Sequence, residues 1–125
     1  MVNKIFKQAH DLETEKGIES VRKDETWRMA QAISQYELIY RQFPDSEWAP
    51  EAKYRIGMIQ WRMKDYKSAK NTFSTLISDY PRNPWADEAR NAYEQMDREL
   101  IEARDRADEA MRSLEEKEKK RQRRF

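Results

Sequence analysis

Trp48-Ala49-Pro50-Glu51-Ala52 opens a stretch that closes, after two amphipathic segments, on Pro84-Trp85-Ala86-Asp87-Glu88-Ala89. Between these phrases the chain reads as two helices, Trp48 to Lys64 and Tyr66 to Tyr80, broken only at Lys64-Asp65. Two amphipathic runs joined by so short a break predict a helical hairpin. The opening and closing phrases look alike because the chain repeats itself. A shift of 37 positions pairs Ala32 with Ala69, Tyr36 with Phe73, Ile39 with Leu76 and Phe43 with Tyr80. The same shift pairs Pro44 with Pro81, Trp48 with Trp85, Ala49 with Ala86 and Ala52 with Ala89. No gap is needed. A fixed period of this length predicts a solenoid of helix pairs.

Outward from the repeat, the chain takes shape in both directions. Val2 to about Lys16 carries Ile5, Phe6, Ala9 and Leu12 on one stripe and predicts a helix ended by Gly17. Residues 18–25 are polar, with Ile18 and Val21 as possible anchors. Ala9 to Ala32 spans 23 residues, against 17 from Ala52 to Ala69, so the first hairpin carries about six extra if Ala9 matches Ala52. Thr26 to Phe43 predicts the next helix, ended by Pro44, which cannot continue the hydrogen-bond ladder. Asp45 or Ser46 offers an N-cap for the helix beginning near Trp48, and Asn83-Pro84 caps the helix that follows Pro81.

The helix from Trp48 is apolar on two sides. Ala52, Ile56, Ile59 and Met63 share one face; Tyr54, Met58 and Trp61 share nearly the opposite one, flanked by Glu51, Arg55 and Arg62. Such a helix is sandwiched or presents a binding face, and both possibilities stay open for this stripe. Gly57 costs about 1 kcal/mol relative to alanine within a helix, which points to a neighbouring helix passing close by. Trp48 and Trp85 recur at one period, as packing elements between hairpins would, though interface anchors are the alternative.

From Ala86 to about Lys117 there is neither glycine nor proline. Ala89, Tyr93, Met96, Leu100, Ala103, Ala107, Ala110 and Leu114 follow one another at alternating gaps of four and three, a heptad seam on a helix of roughly 45–50 Å. The division expected is a repeat domain over 1–92 and an extended charged helix with a basic tail over 93–125. That tail, with Lys117, Lys119, Lys120, Arg121, Arg123 and Arg124, is expected to fray; it is either solvated or an anion-binding patch.

Composition limits function. Charged residues make up 39% of the 125, yet the net charge is +1, so bulk charge calls for neither nucleic acid nor membrane. There is no cysteine, and His10 is the single histidine. That excludes a disulfide frame and a thiolate metal site and leaves His10 no natural co-ligand. No phosphate loop, nucleophile motif or paired carboxylate cluster is present, so neither a catalytic residue nor a cofactor or metal is expected. No apolar run reaches the roughly 18 residues that a membrane-spanning helix needs.

The spacing of Ile56-Gly57, Tyr66, Ala69, Phe73, Leu76 and Pro81 resembles the tetratricopeptide repeat signature. The phrases Phe43-Pro44-Asp45-Ser46-Glu47-Trp48-Ala49-Pro50-Glu51-Ala52 and Tyr80-Pro81-Arg82-Asn83-Pro84-Trp85-Ala86-Asp87-Glu88-Ala89 resemble one bacterial subfamily more closely. It includes the outer-membrane β-barrel assembly lipoprotein BamD and the C-terminal repeats of the Tol–Pal coordinator. The likeness covers residues 27–92 and stops beyond Tyr93, where Glu94 occupies the glycine position. It implies an all-α, tetratricopeptide-like array of about two hairpins with a long capping or coiled-coil helix. It further implies a non-enzymatic adaptor or scaffold subunit of a larger complex. Its partner-binding groove would be lined by Glu51, Tyr54, Arg55, Met58, Trp61 and Arg62. The partners implied are proteins, with no small-molecule substrate and nucleic acid unlikely; a peripheral membrane association is compatible. The place implied is the periplasm or inner face of the outer membrane if the chain is a mature fragment, and the cytoplasm if Met1 is the true start. A coiled-coil oligomeriser or a phosphate-binding tail are the alternative functions.

Overall fold

The computed structural model describes residues 1–14 and 22–123. These form five α-helices: α1 (Val2–Thr14), α2 (Arg22–Gln42), α3 (Trp48–Arg62), α4 (Tyr66–Asp79) and α5 (Pro84–Arg123). There is no strand among the described residues. The chain divides into two compact units, Met1–Tyr93 and a second beginning at Glu94. The expected stop at Gly17 and the anchors Ile18 and Val21 lie outside the described residues.

In the first unit α1 packs on α2, α2 on α3, α3 on α4, and α1 also reaches α3. The period shows in which residues lose all contact with water. Ala32 and Ala69, Ala49 and Ala86, and Ala52 and Ala89 are each fully buried, as are Ile39 and Leu76 and the rings of Tyr36 and Phe73. A methyl side chain at each helix crossing lets two backbones approach, while the larger residues fill the space beside it. Phe6, Met29, Ile56 and Ile59 complete the core between the first hairpin and α3.

Gly57 has the role that its position suggested. A Cβ built there would fall on the fully buried Phe73 ring, 2.8 Å from Cδ1 and from Cζ. Helices α3 and α4 can lie this close only because one of them lacks a side chain at the contact.

The turns are closed by backbone chemistry. After α3, Asp65 N–H donates to the Gln60 carbonyl and Lys64 N–H to that of Trp61, both at 2.9 Å. These two bonds make a Schellman motif, whose reversing residue takes a left-handed conformation; here that residue is Lys64, with φ 64°. Asp65 then caps α4, its side chain accepting from Ser68 N–H. At the start of α5, the Asn83 side chain accepts from Trp85 N–H at 2.9 Å, as expected.

The cap expected at Asp45 or Ser46 is not used: α3 is preceded by Glu47, with no side-chain bond to its first turn. Ala49 N–H instead donates to the Ser46 carbonyl, and Pro50 has no N–H to satisfy. Tyr80 hydroxyl donates to the Pro44 carbonyl at 2.8 Å, tying the turn before α5 to the turn before α3. Three boundaries also move. α2 begins at Arg22 rather than Thr26, and α5 begins at Pro84 rather than Ala86 and runs on to Arg123, past the end expected near Lys117. Glu115 and Glu116, four residues before Lys119 and Lys120, support that last stretch, and basic groups suit a helix C-terminus.

Candidate protein-binding face

The six residues expected to line a groove lie along α3 but do not form one uniform surface. Tyr54 is half-buried, its ring 5.1 Å from that of Trp85 and 6.0 Å from that of Phe73. Burial first, and then the nearby Glu88 carboxylate, holds its hydroxyl above the ordinary phenol range. Tyr54 is therefore a packing residue between α3, α4 and the start of α5. At the other end of α3, exposed Arg62 is turned toward the first hairpin. Its Nη1 lies 3.9 Å from Met29 Sδ, and its Nη2 3.9 Å from a Glu13 carboxylate oxygen. Met58 and Trp61 lie between them, both half-buried.

Glu51 and Arg55 belong to a different feature. They form an ion pair at 3.1 Å, one turn apart, and both line a recess of about 500 Å³ where α1 meets α3. Its other walls are Asn3, Phe6, Lys7, His10 and Trp48. The Phe6 ring lies 4.7 Å from the Trp48 ring and 6.2 Å from the His10 ring, so three aromatic rings share walls that are otherwise polar or charged. Arg55 keeps its Nε buried without a hydrogen-bond partner. A recess that sets the Phe6 and Trp48 rings beside Lys7, Glu51 and Arg55 suits an apolar side chain carried on a polar backbone. The α1 half of this recess was not singled out from sequence. Phe6 reads there as one more core position and His10 only as a metal ligand without company.

Trp48 and Trp85 behave alike: each, at the first turn of its helix, packs back on the helix two before it, Trp48 on Phe6 and Trp85 on Tyr54.

Two polar contacts stabilise the unit beneath this face. Buried Glu13 accepts a 2.7 Å hydrogen bond from the Tyr36 hydroxyl. Burial, reinforced by that bond and by the Glu13 charge, pushes the Tyr36 phenol far above its ordinary value. Lys53, although 8% exposed, places its ammonium 3.3 Å from Asp79 and 4.7 Å from the centre of the Tyr40 ring, joining α3 to α4 and α2. Neither buried charge was anticipated.

Along the seam of α5, Lys70 lies over the half-buried Tyr93 ring at 5.6 Å, Met96 is buried and Leu100 half-buried. Beyond them Ala103, Ala107, Ala110 and Leu114 are exposed, Leu114 at 61%. The basic residues Lys117, Lys119, Lys120, Arg121 and Arg123 are exposed on the same helix; Arg124 lies outside the described residues. Among the described residues no group of three His, Asp or Glu side chains is placed to hold a metal ion. No described helix is long and apolar enough to cross a membrane.

Residues 51–83 match the family model of the tetratricopeptide repeat. That stretch contains nearly all of α3, the Schellman turn and α4. No curated protein and no solved structure matches the chain. The match covers one helical hairpin and, with the hairpin array around it, supports a tetratricopeptide-like fold, one generally non-catalytic and commonly used as a protein–protein interaction module.

Proposed function

We propose that this chain is an adaptor or scaffold subunit that holds an apolar segment of a protein partner against α1 and α3. The observation that carries the reading is the recess lined by Phe6, Trp48 and the Glu51–Arg55 pair. It offers apolar contact area with charged groups at its edge, the combination found where a few buried anchors supply most of the binding energy. Met58 and Trp61, half-buried on the same helix, extend the contact. The larger assembly is a bacterial envelope complex in this reading, supported by the resemblance of the two Trp-Ala phrases.

Affinity capture from separated envelope and cytosolic extracts, with the full chain as bait, tests the reading. A partner should be retained from the envelope fraction. Lys7→Glu and Trp61→Ala should each weaken its capture, Trp61→Ala by about 2 kcal/mol, the usual size of an interface hot spot. Lys7 is exposed, so its reversal leaves the fold intact. Capture indifferent to both changes would place the binding surface elsewhere, and retention from cytosol alone would reject the envelope assignment.

A further inference from the structure

The C-terminal part of α5 presents an apolar face with no covering element among the described residues of its own unit. Every residue from Ile101 to Arg123 is exposed, with Ile101 at 56%, Met111 at 59% and Leu114 at 61%. Leu100, Ala103, Ala107, Met111 and Leu114 follow one another at gaps of three and four along one side of the helix. Met111, Leu114, Glu115 and Glu118, at positions i, i+3, i+4 and i+7, surround a recess together with Lys119. Those four positions define the hole that receives one knob from a facing helix in coiled-coil packing.

Charge along the helix indicates what the facing helix is. From Glu94 to Glu109 there are seven acidic side chains and three arginines; from Ala110 to Arg123 there are six basic side chains and three glutamates. One half of the rod is thus acidic and the other basic. A second copy in parallel would set Lys117 against Lys117 and Arg121 against Arg121, like charge on like. A second copy running the opposite way sets the acidic half of each against the basic half of the other.

We propose that α5 pairs with α5 of a second copy in antiparallel fashion, crossing near Ala107. In that register Leu100 of each copy reaches the level of the hole formed by Met111, Leu114, Glu115 and Glu118 of the other. Arg112 comes level with Glu102, Lys117 with Asp97 and Lys120 with Glu94. The alanines at 103, 107 and 110 let the two axes approach to about 8 Å, the short end of interhelical distances. They also keep the buried area small, so association is weak, with a Kd of about 1 µM or above. The pairing uses none of the residues that line the α1–α3 recess, so it stands or falls independently of the partner proposed there.

Sedimentation equilibrium of the full chain, followed over about a hundredfold concentration range, reads the proposal directly. The mass should rise toward twice 15.2 kDa. Raising salt from about 0.05 to 1 M should lower the dimer fraction, since screening removes the end-to-end attraction. Leu114→Lys should weaken pairing at least tenfold while circular dichroism stays unchanged, because that side chain is exposed in the single chain. Orientation is read from nitroxide labels on Gln122→Cys, a clean handle because the chain has no cysteine. Antiparallel pairing about Ala107 places the two labels about 45 Å apart along the rod at 1.5 Å per residue. Parallel pairing places them within about 10 Å, the distance between axes. A chain that remains at monomer mass and fully helical overturns the proposal and leaves the charge pairs at i, i+4 to support the helix alone. A short label distance, a dimer indifferent to Leu114→Lys, or a basic end that takes anionic vesicles in place of a second copy overturns it equally.

Discussion

Gly57→Ala is the substitution that tests the packing of the second hairpin most directly. In an ordinary helix interior it would stabilise by about 1 kcal/mol, because alanine is the better helix former. Here the added methyl would sit 2.8 Å from two carbons of Phe73, whereas carbon atoms in contact prefer about 3.5–4.0 Å. Phe73 is fully buried and its ring packs against Tyr54, so it cannot swing into solvent. Relief requires α3 and α4 to part or the ring to leave its rotamer, at a cost of about 1–3 kcal/mol. Set against the propensity gain, the net expectation is a loss of about 1 kcal/mol. Urea denaturation of the two single variants and the double variant with Phe73→Leu measures it. In the Phe73→Leu background the methyl has room, and Gly57→Ala should become neutral or stabilising, giving a coupling energy of about 1–2 kcal/mol. A gain of about 1 kcal/mol from Gly57→Ala in the unmodified protein would refute the reasoning, because it would mean that the ring does not fill the space opposite Gly57.

Two further expectations concern the turns and the tyrosines. Lys64→Gly should stabilise by up to about 1 kcal/mol in thermal or chemical denaturation, because glycine meets no Cβ penalty at the left-handed position, whereas Lys64→Ala should bring no such gain. Tyr36, Tyr40, Tyr54 and Tyr80 all have phenol pKa values raised by burial, so the folded state holds these protons more tightly than the unfolded chain does. Their contribution is complete below the unfolded value of about 10 and declines as pH rises above it. Tyr36→Phe should cost about 1–3 kcal/mol at neutral pH, since it removes the hydrogen bond to one oxygen of the buried Glu13 carboxylate, and should flatten the alkaline fall in stability. An unchanged alkaline slope in Tyr36→Phe, read from melts across that range, would exclude Tyr36 as its source.

Most of the fold could be read from sequence because its determinants are local or periodic. The paired alanines and rings, Pro44 and Pro81, and the Lys64-Asp65 break each act within one turn or one period. Gly57 could be read for the same reason, as a cost within a helix that only a close neighbour explains. What escaped was the chemistry of contacts between distant residues. Periodicity buries Tyr36 but does not say that its hydroxyl meets Glu13, 23 residues earlier in a segment whose offset from the repeat is irregular. It leaves Lys53 as a polar residue on a helix, although the Tyr40 face and the Asp79 carboxylate allow it to be buried. The candidate face was half legible: the α3 stripe was visible, but its division into packing at Tyr54, a tether at Arg62 and a recess shared with α1 depends on where α1 lies.

Tyr36 and Phe73 occupy the same place in successive repeats, yet each ring is held by a different kind of latch. The first closes on a proton, through the Glu13 carboxylate, and the second on the missing side chain of Gly57. In a linear array, where each hairpin relies mainly on its neighbours, such a difference sets the order of failure. Alkali should loosen the α1–α2 hairpin first, and a methyl at position 57 the α3–α4 hairpin. The first unit can thus be opened at either hairpin by choosing the disturbance, and hydrogen exchange under each would show the unprotected amides beginning at different hairpins.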